Sequence, residues 1–150
     1  MDSIKLTFTP TQPKRLGTIF IVDDNPIELG MLVDYFEKYP GLTIKGFPTG
    51  DDCVKDIVLS GVSPDMILID YFLDSQVANS KDGLEILVKL KEISPNSAII
   101  MHTGVENQRI IDLARKKGAY DYIVKGAEGY KKLDSIIEKE FVLNTPESNS

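Results

Sequence analysis

The apolar positions of the chain follow two alternating periods, and this alternation predicts its secondary structure. Short apolar runs, several of them rich in β-branched residues, predict strands that are buried on both faces. We predict five strands, at residues 19–22, 42–47, 66–69, 98–101 and 120–124. The second strand is the most polar, which favours a position near the edge of a sheet.

Apolar residues at helical spacing follow each predicted strand. The first helix has clear start signals, because Asn25 suits the N-cap, Pro26 the first helical position and Glu28 the third position after the cap. Residues 51–59 and 82–93 predict the second and third helices. The side chains predicted to face the core are Leu29, Leu32 and Phe36; Val54, Ile57 and Val58; Leu84, Leu87, Val88 and Leu90; Ile110, Ile111 and Ala114; and Leu133, Ile136 and Ile137.

Strands and helices thus alternate five times along the chain. Parallel strands need long crossover connections, and helices on both faces of a sheet account for strands that are apolar throughout. We therefore predict an α/β fold, a doubly wound five-stranded parallel sheet with helices on both faces. Residues 1–16 predict a flexible arm or at most one extra edge strand, and residues 142–150 a polar tail or the start of a linker.

Composition narrows the classes of function. The chain has 150 residues and a net charge of -6, which fits one globular domain and argues against direct binding to nucleic acid. Cys53 is the only cysteine, so a disulfide within the chain is excluded, and a small core residue is favoured over a reactive thiol. No apolar run reaches the roughly 18 residues of a membrane helix, and residues 1–18 lack the apolar stretch of a signal peptide. We expect a cytoplasmic location and no membrane partner.

Polar residues of a particular kind follow four of the predicted strands. The acidic pair Asp23 and Asp24 follows the first strand, Asp70 the third, Thr103 the fourth and Lys125 the fifth. In doubly wound sheets ligands bind at the carboxyl ends of the strands. We therefore expect these side chains to meet at one edge of the sheet.

Three carboxylates at one place repel one another. Two unit charges about 4 Å apart cost about 1 kcal/mol in water and about 4 kcal/mol at an effective dielectric constant of 20. A hard divalent cation offsets this cost, and Mg²⁺ prefers a few carboxylate oxygens, water and phosphate, with Mn²⁺ as an alternative. Asp70 stands alone after its strand and is the best candidate for a nucleophile that forms an acyl phosphate, Lys125 would neutralise charge, and Thr103 would bond a phosphoryl oxygen.

Each of these residues also has a simpler interpretation. A single Asp after a strand is usually a turn or N-cap residue, and Thr103 and Lys125 are each followed by glycine, as in ordinary turns. His102 is the only histidine, and its place on a predicted buried strand favours a packing role over direct chemistry. The placement of all the candidates after four alternating strands is what favours a phosphoryl-transfer site.

With these motifs the sequence resembles the receiver domain of two-component response regulators, over roughly residues 16–141. The resemblance rests on IVDDN at 21–25, LID at 68–70, DGLEIL at 82–87, MHTG at 101–104 and GAYDYIVK at 118–125. It implies a flavodoxin-like fold over residues 17–141. It also implies that the domain is a Mg²⁺-dependent phospho-aspartate switch. It implies no enzyme activity other than promotion of the domain's own phosphorylation and dephosphorylation.

The resemblance assigns a role to each site residue. Asp70 corresponds to the phosphoacceptor, Asp24 to the direct metal ligand of the acidic pair, and Asp23 to its neighbour that acts largely through water. The backbone carbonyl of Phe72 corresponds to a further metal ligand, and the carboxylate of Asp70 completes the set.

Three further residues correspond to the parts of the switch that respond to phosphorylation. Thr103 corresponds to the hydroxyl that moves to the phosphoryl group, Lys125 to the lysine that contacts it, and Tyr122 to the aromatic that turns inward, although Tyr122 is also interpretable as a core tyrosine. The implied partners are a histidine kinase or phosphotransfer protein and an unidentified downstream protein, with a phosphorylation-dependent dimer as another outcome.

The sequence departs from the family pattern at three places. Gly126 follows the lysine where proline is usual, the loop at 71–81 is longer than usual and lacks its proline, and Phe72 is unusually large and apolar. Phe72 could limit attacking water and lengthen the phosphorylated lifetime. Two other functions stay open, a pseudo-receiver that is never phosphorylated and an aspartate-nucleophile phosphatase, although the phosphatase would want an acidic residue where Phe72 stands.

Overall fold

A computed structural model of the chain describes residues 17–71, 82–104 and 106–141. Ten elements alternate strictly between strand and helix, as predicted. They are β1 (Thr18–Val22), α1 (Pro26–Phe36), β2 (Thr43–Phe47), α2 (Gly50–Ser60), β3 (Met66–Ile69), α3 (Gly83–Ile93), β4 (Ala98–Thr103), α4 (Gln108–Lys116), β5 (Asp121–Val124) and α5 (Ala127–Glu140). The predicted arm at 1–16, the tail at 142–150 and most of the loop at 71–81 lie outside the described residues.

The five strands form one parallel sheet in the order β2-β1-β3-β4-β5. The predicted fold class is confirmed, and so is the edge position of the more polar second strand. From β1 the chain first moves outward to β2 and then returns to add β3 on the other side. The strand order therefore reverses between β1 and β3, which is where sheets of this type bind ligands.

Helices cover both faces of the sheet and enclose two apolar cores. Along β1, Ile19 and Ile21 face one core, and Phe20 and Val22 face the other, because successive side chains of a strand point to opposite faces. The core that contains Ile19 and Ile21 also includes residues of α1 and α5. The core that contains Phe20 and Val22 also includes residues of α2, α3 and α4. Burial on both faces explains why the central strands are apolar throughout.

The helix starts follow the predicted chemistry. The Asn25 side chain accepts hydrogen bonds from the backbone N–H groups of Ile27 at 2.9 Å and Glu28 at 3.1 Å, so it caps α1. Asp82 and Glu85 form a reciprocal capping box at the start of α3. Within the described ranges, no helix is both long enough and apolar enough to cross a membrane.

Two predicted core positions are wrong. Val58 is 60% exposed and Val88 is 37% exposed, because each follows a residue, Ile57 or Leu87, that occupies the buried side of its helix. In α2 the buried face instead contains Cys53, four residues before Ile57 and therefore on the same side. Cys53 is fully buried as a core residue, and burial raises the pKa of its thiol to about 12.

Candidate functional site

The hydrogen bonds of the sheet fix where the predicted site residues lie. The backbone N–H of Asp70 donates to Val22 at 3.1 Å, the N–H of Asp23 donates to Phe47 at 3.1 Å, and the N–H of Lys125 donates to Thr103 at 2.9 Å. Each of these donors is the first residue after its strand. The sheet therefore places these residues at its carboxyl edge.

Three carboxylates meet at this edge. Asp23, Asp24 and Asp70 each offer an oxygen atom, and these atoms lie within 4.8 Å of one another. Asp23 is almost fully buried, and its Oδ1 accepts a hydrogen bond from the backbone N–H of Asn25 at 2.9 Å. Burial raises the pKa of Asp23; the nearby Asp70 adds to that effect, while the Asn25 N–H and Lys125 oppose it.

Lys125 connects the carboxylates. Its Nζ lies 3.0 Å from Oδ2 of Asp70 and 3.2 Å from Oδ2 of Asp23, and it also donates to Oε1 of Glu28. Burial by itself would lower the pKa of Lys125, but the hydrogen bonds to Glu28 and Asp70 hold that pKa above its usual value. The lysine is therefore a fixed positive charge within a cluster of four carboxylates.

Glu28 is a site residue that the sequence analysis missed as such, since it was assigned only to the start of the first helix. The signal that could have found it is its position in the first helical turn after the acidic pair. A helix that begins at the carboxyl end of β1 holds its first turn directly over that end of the sheet. The capping pattern therefore indicates an acidic side chain above this edge of the sheet, but not the partner that it binds.

His102 and Thr103 are the last two residues of β4, and each has a buried polar atom in its side chain. Thr103 is fully buried, and its Oγ1 has no hydrogen-bond partner among the described residues. The same holds for Nε2 of His102, which is 4% exposed. Burial lowers the pKa of His102 to about 4, so its imidazole is neutral at pH 7, which agrees with the predicted packing role.

Tyr122 lies on β5, opposite Met101 of β4, and its side chain is buried. It belongs to the core that α2, α3 and α4 cover. Burial raises the pKa of its hydroxyl, and Tyr71 and Asp70 add to the effect. The ring is thus buried in this structure, as the interpretation as a core tyrosine expects, and the role of Tyr122 as a switch residue stays a prediction.

The start of α3 packs against the backbone of Asp70 and Tyr71. The N–H of Gly83 donates to the carbonyl of Tyr71 at 2.8 Å. A Cβ at Gly83 would lie 2.6 Å from the carbonyl oxygen of Asp70, so only glycine allows this approach. The Asp82–Gly83 pair of the sequence motif therefore supplies a cap and a close contact, whereas Phe72 lies outside the described residues.

The donor set fits a hard divalent cation. Among the described residues the candidate ligand atoms are carboxylate oxygens, and one ammonium balances only part of the charge of four carboxylates. A cation that prefers oxygen, such as Mg²⁺, would offset the remaining repulsion. Of the predicted metal ligands, the structure brings Asp23, Asp24 and Asp70 together.

One known protein family matches most of this chain. The family model of the response regulator receiver domain matches residues 19–138. The chain belongs to this family. The receiver domain is 31% identical over 118 residues to the chemotaxis protein CheY of Listeria monocytogenes, a match that covers 79% of this chain and 93% of CheY.

Other relatives are longer proteins. The receiver domain is 32% identical over 114 residues to protein-glutamate methylesterase/protein-glutamine glutaminase 3 of Leptospira interrogans, which covers 75% of this chain but 31% of that protein. The chain thus spans about a third of the length of this relative. The activity in the relative's name is therefore not carried over to the receiver domain.

Solved structures show the same fold. The receiver domain of CheB from Thermotoga maritima superposes with a TM-score of 0.66 at 20% identity, over 84% of this chain and 94% of that one. A response regulator from Burkholderia pseudomallei, solved with a phosphorylated aspartic acid, calcium ion and citrate, superposes with a TM-score of 0.67 at 22% identity, over 83% and 72% of the two chains. The flavodoxin-like receiver fold is therefore shown.

Proposed function

We propose that this receiver domain acts as a switch through phosphorylation of Asp70 by a histidine kinase or a phosphotransfer protein. The observation that carries the proposal is the 3.0 Å contact between Asp70 and Lys125, beside an acidic pair whose oxygens lie within 4.8 Å of the Asp70 carboxylate. A structural neighbour of the same fold carries a phosphorylated aspartic acid and a calcium ion. Those two groups are of the kind that this site would hold.

The transfer needs little from the protein beyond position and charge. A carboxylate oxygen of Asp70 attacks the phosphorus of a phosphohistidine, an O–P bond forms, the P–N bond breaks, and the electron pair stays on the leaving imidazole nitrogen. Lys125, whose Nζ lies 3.0 Å from Oδ2 of Asp70, would neutralise phosphoryl charge. Mg²⁺, or Mn²⁺ as an alternative, held by Asp23, Asp24 and Asp70, would supply further positive charge to the phosphoryl oxygens.

The phosphorylated site differs from the unphosphorylated site mainly in its charge. A phosphoryl group adds a charge of about −1.5 to −2 and three acceptor oxygens. The buried hydroxyl of Thr103 has no partner among the described residues, and we propose that it donates to one of these oxygens. Movement of Thr103 would change the space beside Tyr122, because β4 and β5 are paired neighbours. We propose that the surface of α4, β5 and α5 carries this change to a downstream protein or to a second copy of the domain.

The cytoplasm is the compartment that we propose, since a single cysteine such as Cys53 stays reduced there. Phosphorylation and dephosphorylation of its own Asp70 would be the only reactions that the domain promotes.

Intact-mass analysis with a small phosphodonor and Mg²⁺ tests the proposal. Wild type is expected to gain one phosphoryl group that depends on Mg²⁺, and Asp70→Asn none. Asp34→Asn, which changes an exposed carboxylate of α1, is the matched control and should behave like wild type. If wild type gains no phosphoryl group and turns over no donor, the pseudo-receiver becomes the better description.

A further inference from the structure

We infer that Glu28 is a positioning residue that holds the ammonium group of Lys125 in the resting domain and competes with the phosphoryl group for it. The inference rests on the proposed phosphorylation of Asp70. It assigns to α1 a direct influence on the rate at which the site is phosphorylated.

The contacts of Lys125 separate Glu28 from the other two carboxylates. Asp23 and Asp70 follow strands of the sheet, and their side chains are 2% and 12% exposed, whereas that of Glu28 is 45% exposed. An exposed carboxylate returns to water at little cost, but a buried one does not. Glu28 is therefore the partner that Lys125 can release most easily.

The position of Glu28 depends on the acidic pair. Asn25 donates its backbone N–H to Asp23, and its side chain accepts from the N–H of Glu28 at 3.1 Å. These bonds anchor the first turn of α1 beside the end of β1. Glu28 is thus fixed at its backbone while its carboxylate remains free to leave the lysine.

The number of hydrogen-bond donors makes the competition direct. An ammonium group has three donors, and Lys125 contacts three carboxylates: those of Asp23, Glu28 and Asp70. A phosphoryl group on Asp70 brings three new acceptor oxygens. Lys125 can serve them only if it gives up a present contact, and the contact with Glu28 is the most exposed.

The structure also contains space for this rearrangement. A cavity of about 230 Å³ borders both Glu28 and Lys125. Its other lining residues are Met31, Leu32, His102 and Tyr130. This cavity offers the two charged side chains space in which to separate.

The rate of phosphorylation by phosphoramidate and Mg²⁺ tests the inference. Glu28→Gln removes the competing charge, so we expect phosphorylation about two- to fivefold faster than in wild type, the size of a partly exposed ion pair. Glu28→Asp retains the charge and should lie closer to wild type. Asp34→Asn removes an exposed charge from the same helix that is not a partner of Lys125, and should leave the rate unchanged.

Two further measurements separate positioning from a general effect of charge or folding. In a Lys125→Met background, the change Glu28→Gln should no longer accelerate phosphorylation, because the residue acts through the lysine. In the unphosphorylated protein, the side-chain NMR signals of Lys125 should shift in Glu28→Gln and not in Asp34→Asn.

The outcomes distinguish the inference from the function on which it rests. A wild type that takes up no phosphoryl group overturns both. A wild type that is phosphorylated while Glu28→Gln is equally fast or slower overturns the role of Glu28 alone. An acceleration that persists without Lys125 also overturns it, since the effect would then be charge at a distance.

Discussion

The Nζ of Lys125 lies 3.0 Å from Oδ2 of Asp70, although 55 residues separate the two in the chain. The ion pair joins the carboxyl end of β5 to that of β3, across the intervening strand β4. Asp23 and Glu28 share the same ammonium group. The charge balance of the site is thus set by residues from three strand ends and one helix, and any change in it is measurable in both stability and phosphorylation.

Mg²⁺ should stabilise the folded domain through the three aspartates. A ligand at one hundred times its Kd adds about 2.7 kcal/mol, and each kcal/mol raises the Tm of a domain of this size by about 2–4 °C. We expect Mg²⁺ to raise the Tm of wild type, EDTA to reverse the rise, and Asp24→Asn to abolish most of it. A rise of equal size in Asp24→Asn, measured by thermal unfolding at constant ionic strength, would contradict this assignment of the metal site.

Thr103→Val should separate stability from switching. The Thr103 hydroxyl is buried without a partner among the described residues, so its replacement by a methyl group of similar shape removes a desolvated polar group. We expect the unphosphorylated variant to be at least as stable as wild type in urea unfolding. The conformational response to phosphorylation, followed by NMR at β4 and β5, should be lost. A destabilisation of more than about 1 kcal/mol would show that the hydroxyl has a resting partner.

His102 should make stability depend on pH in a defined window. Its folded pKa of about 4 lies below the 6.5 of an ordinary imidazole, so the unfolded chain binds more protons between these values. The contribution of His102 to the free energy of unfolding is therefore fully present above pH 6.5. It is lost as the pH falls to 4, which lowers stability by up to about 3 kcal/mol. His102 is the only histidine, so His102→Leu should flatten this part of the profile. Equal slopes of the free energy of unfolding in the two proteins would disprove the assignment.

Gly126 should resist substitution for a backbone reason. Its φ is +137°, a region open to glycine, and a Cβ there would meet nothing within 4 Å. Gly126→Ala should therefore cost about 1–3 kcal/mol from backbone strain alone. Gly30→Ala is the matched control, because Gly30 lies inside α1 with open space around it, and alanine there should stabilise by up to about 1 kcal/mol. Urea unfolding that finds the two substitutions equivalent would contradict this account.

Much of this protein is determined by local sequence. The β-branched runs, the helical spacing and the caps at Asn25 and Asp82 each specify structure within a few residues, so element order, fold class and edge strand follow from them. The polar residues after the strands also predicted which edge of the sheet holds the site. That edge is fixed by chain direction, since parallel strands end on the same side.

Other features depended on the exact rotation and packing of each element. The sequence favoured a core position for Cys53, which is confirmed, but it could not show that Val58 faces solvent, because a helix shifted by one residue turns its face by about 100°. Nor could it show that Glu28 binds Lys125, or that the hydroxyl of Thr103 is buried without a partner among the described residues. Contacts between residues 55 to 102 positions apart are decided only when the sheet forms and brings distant strand ends together. Sequence periodicity determined the elements and the edge that bears the site, and tertiary packing decided which charges share one ammonium group.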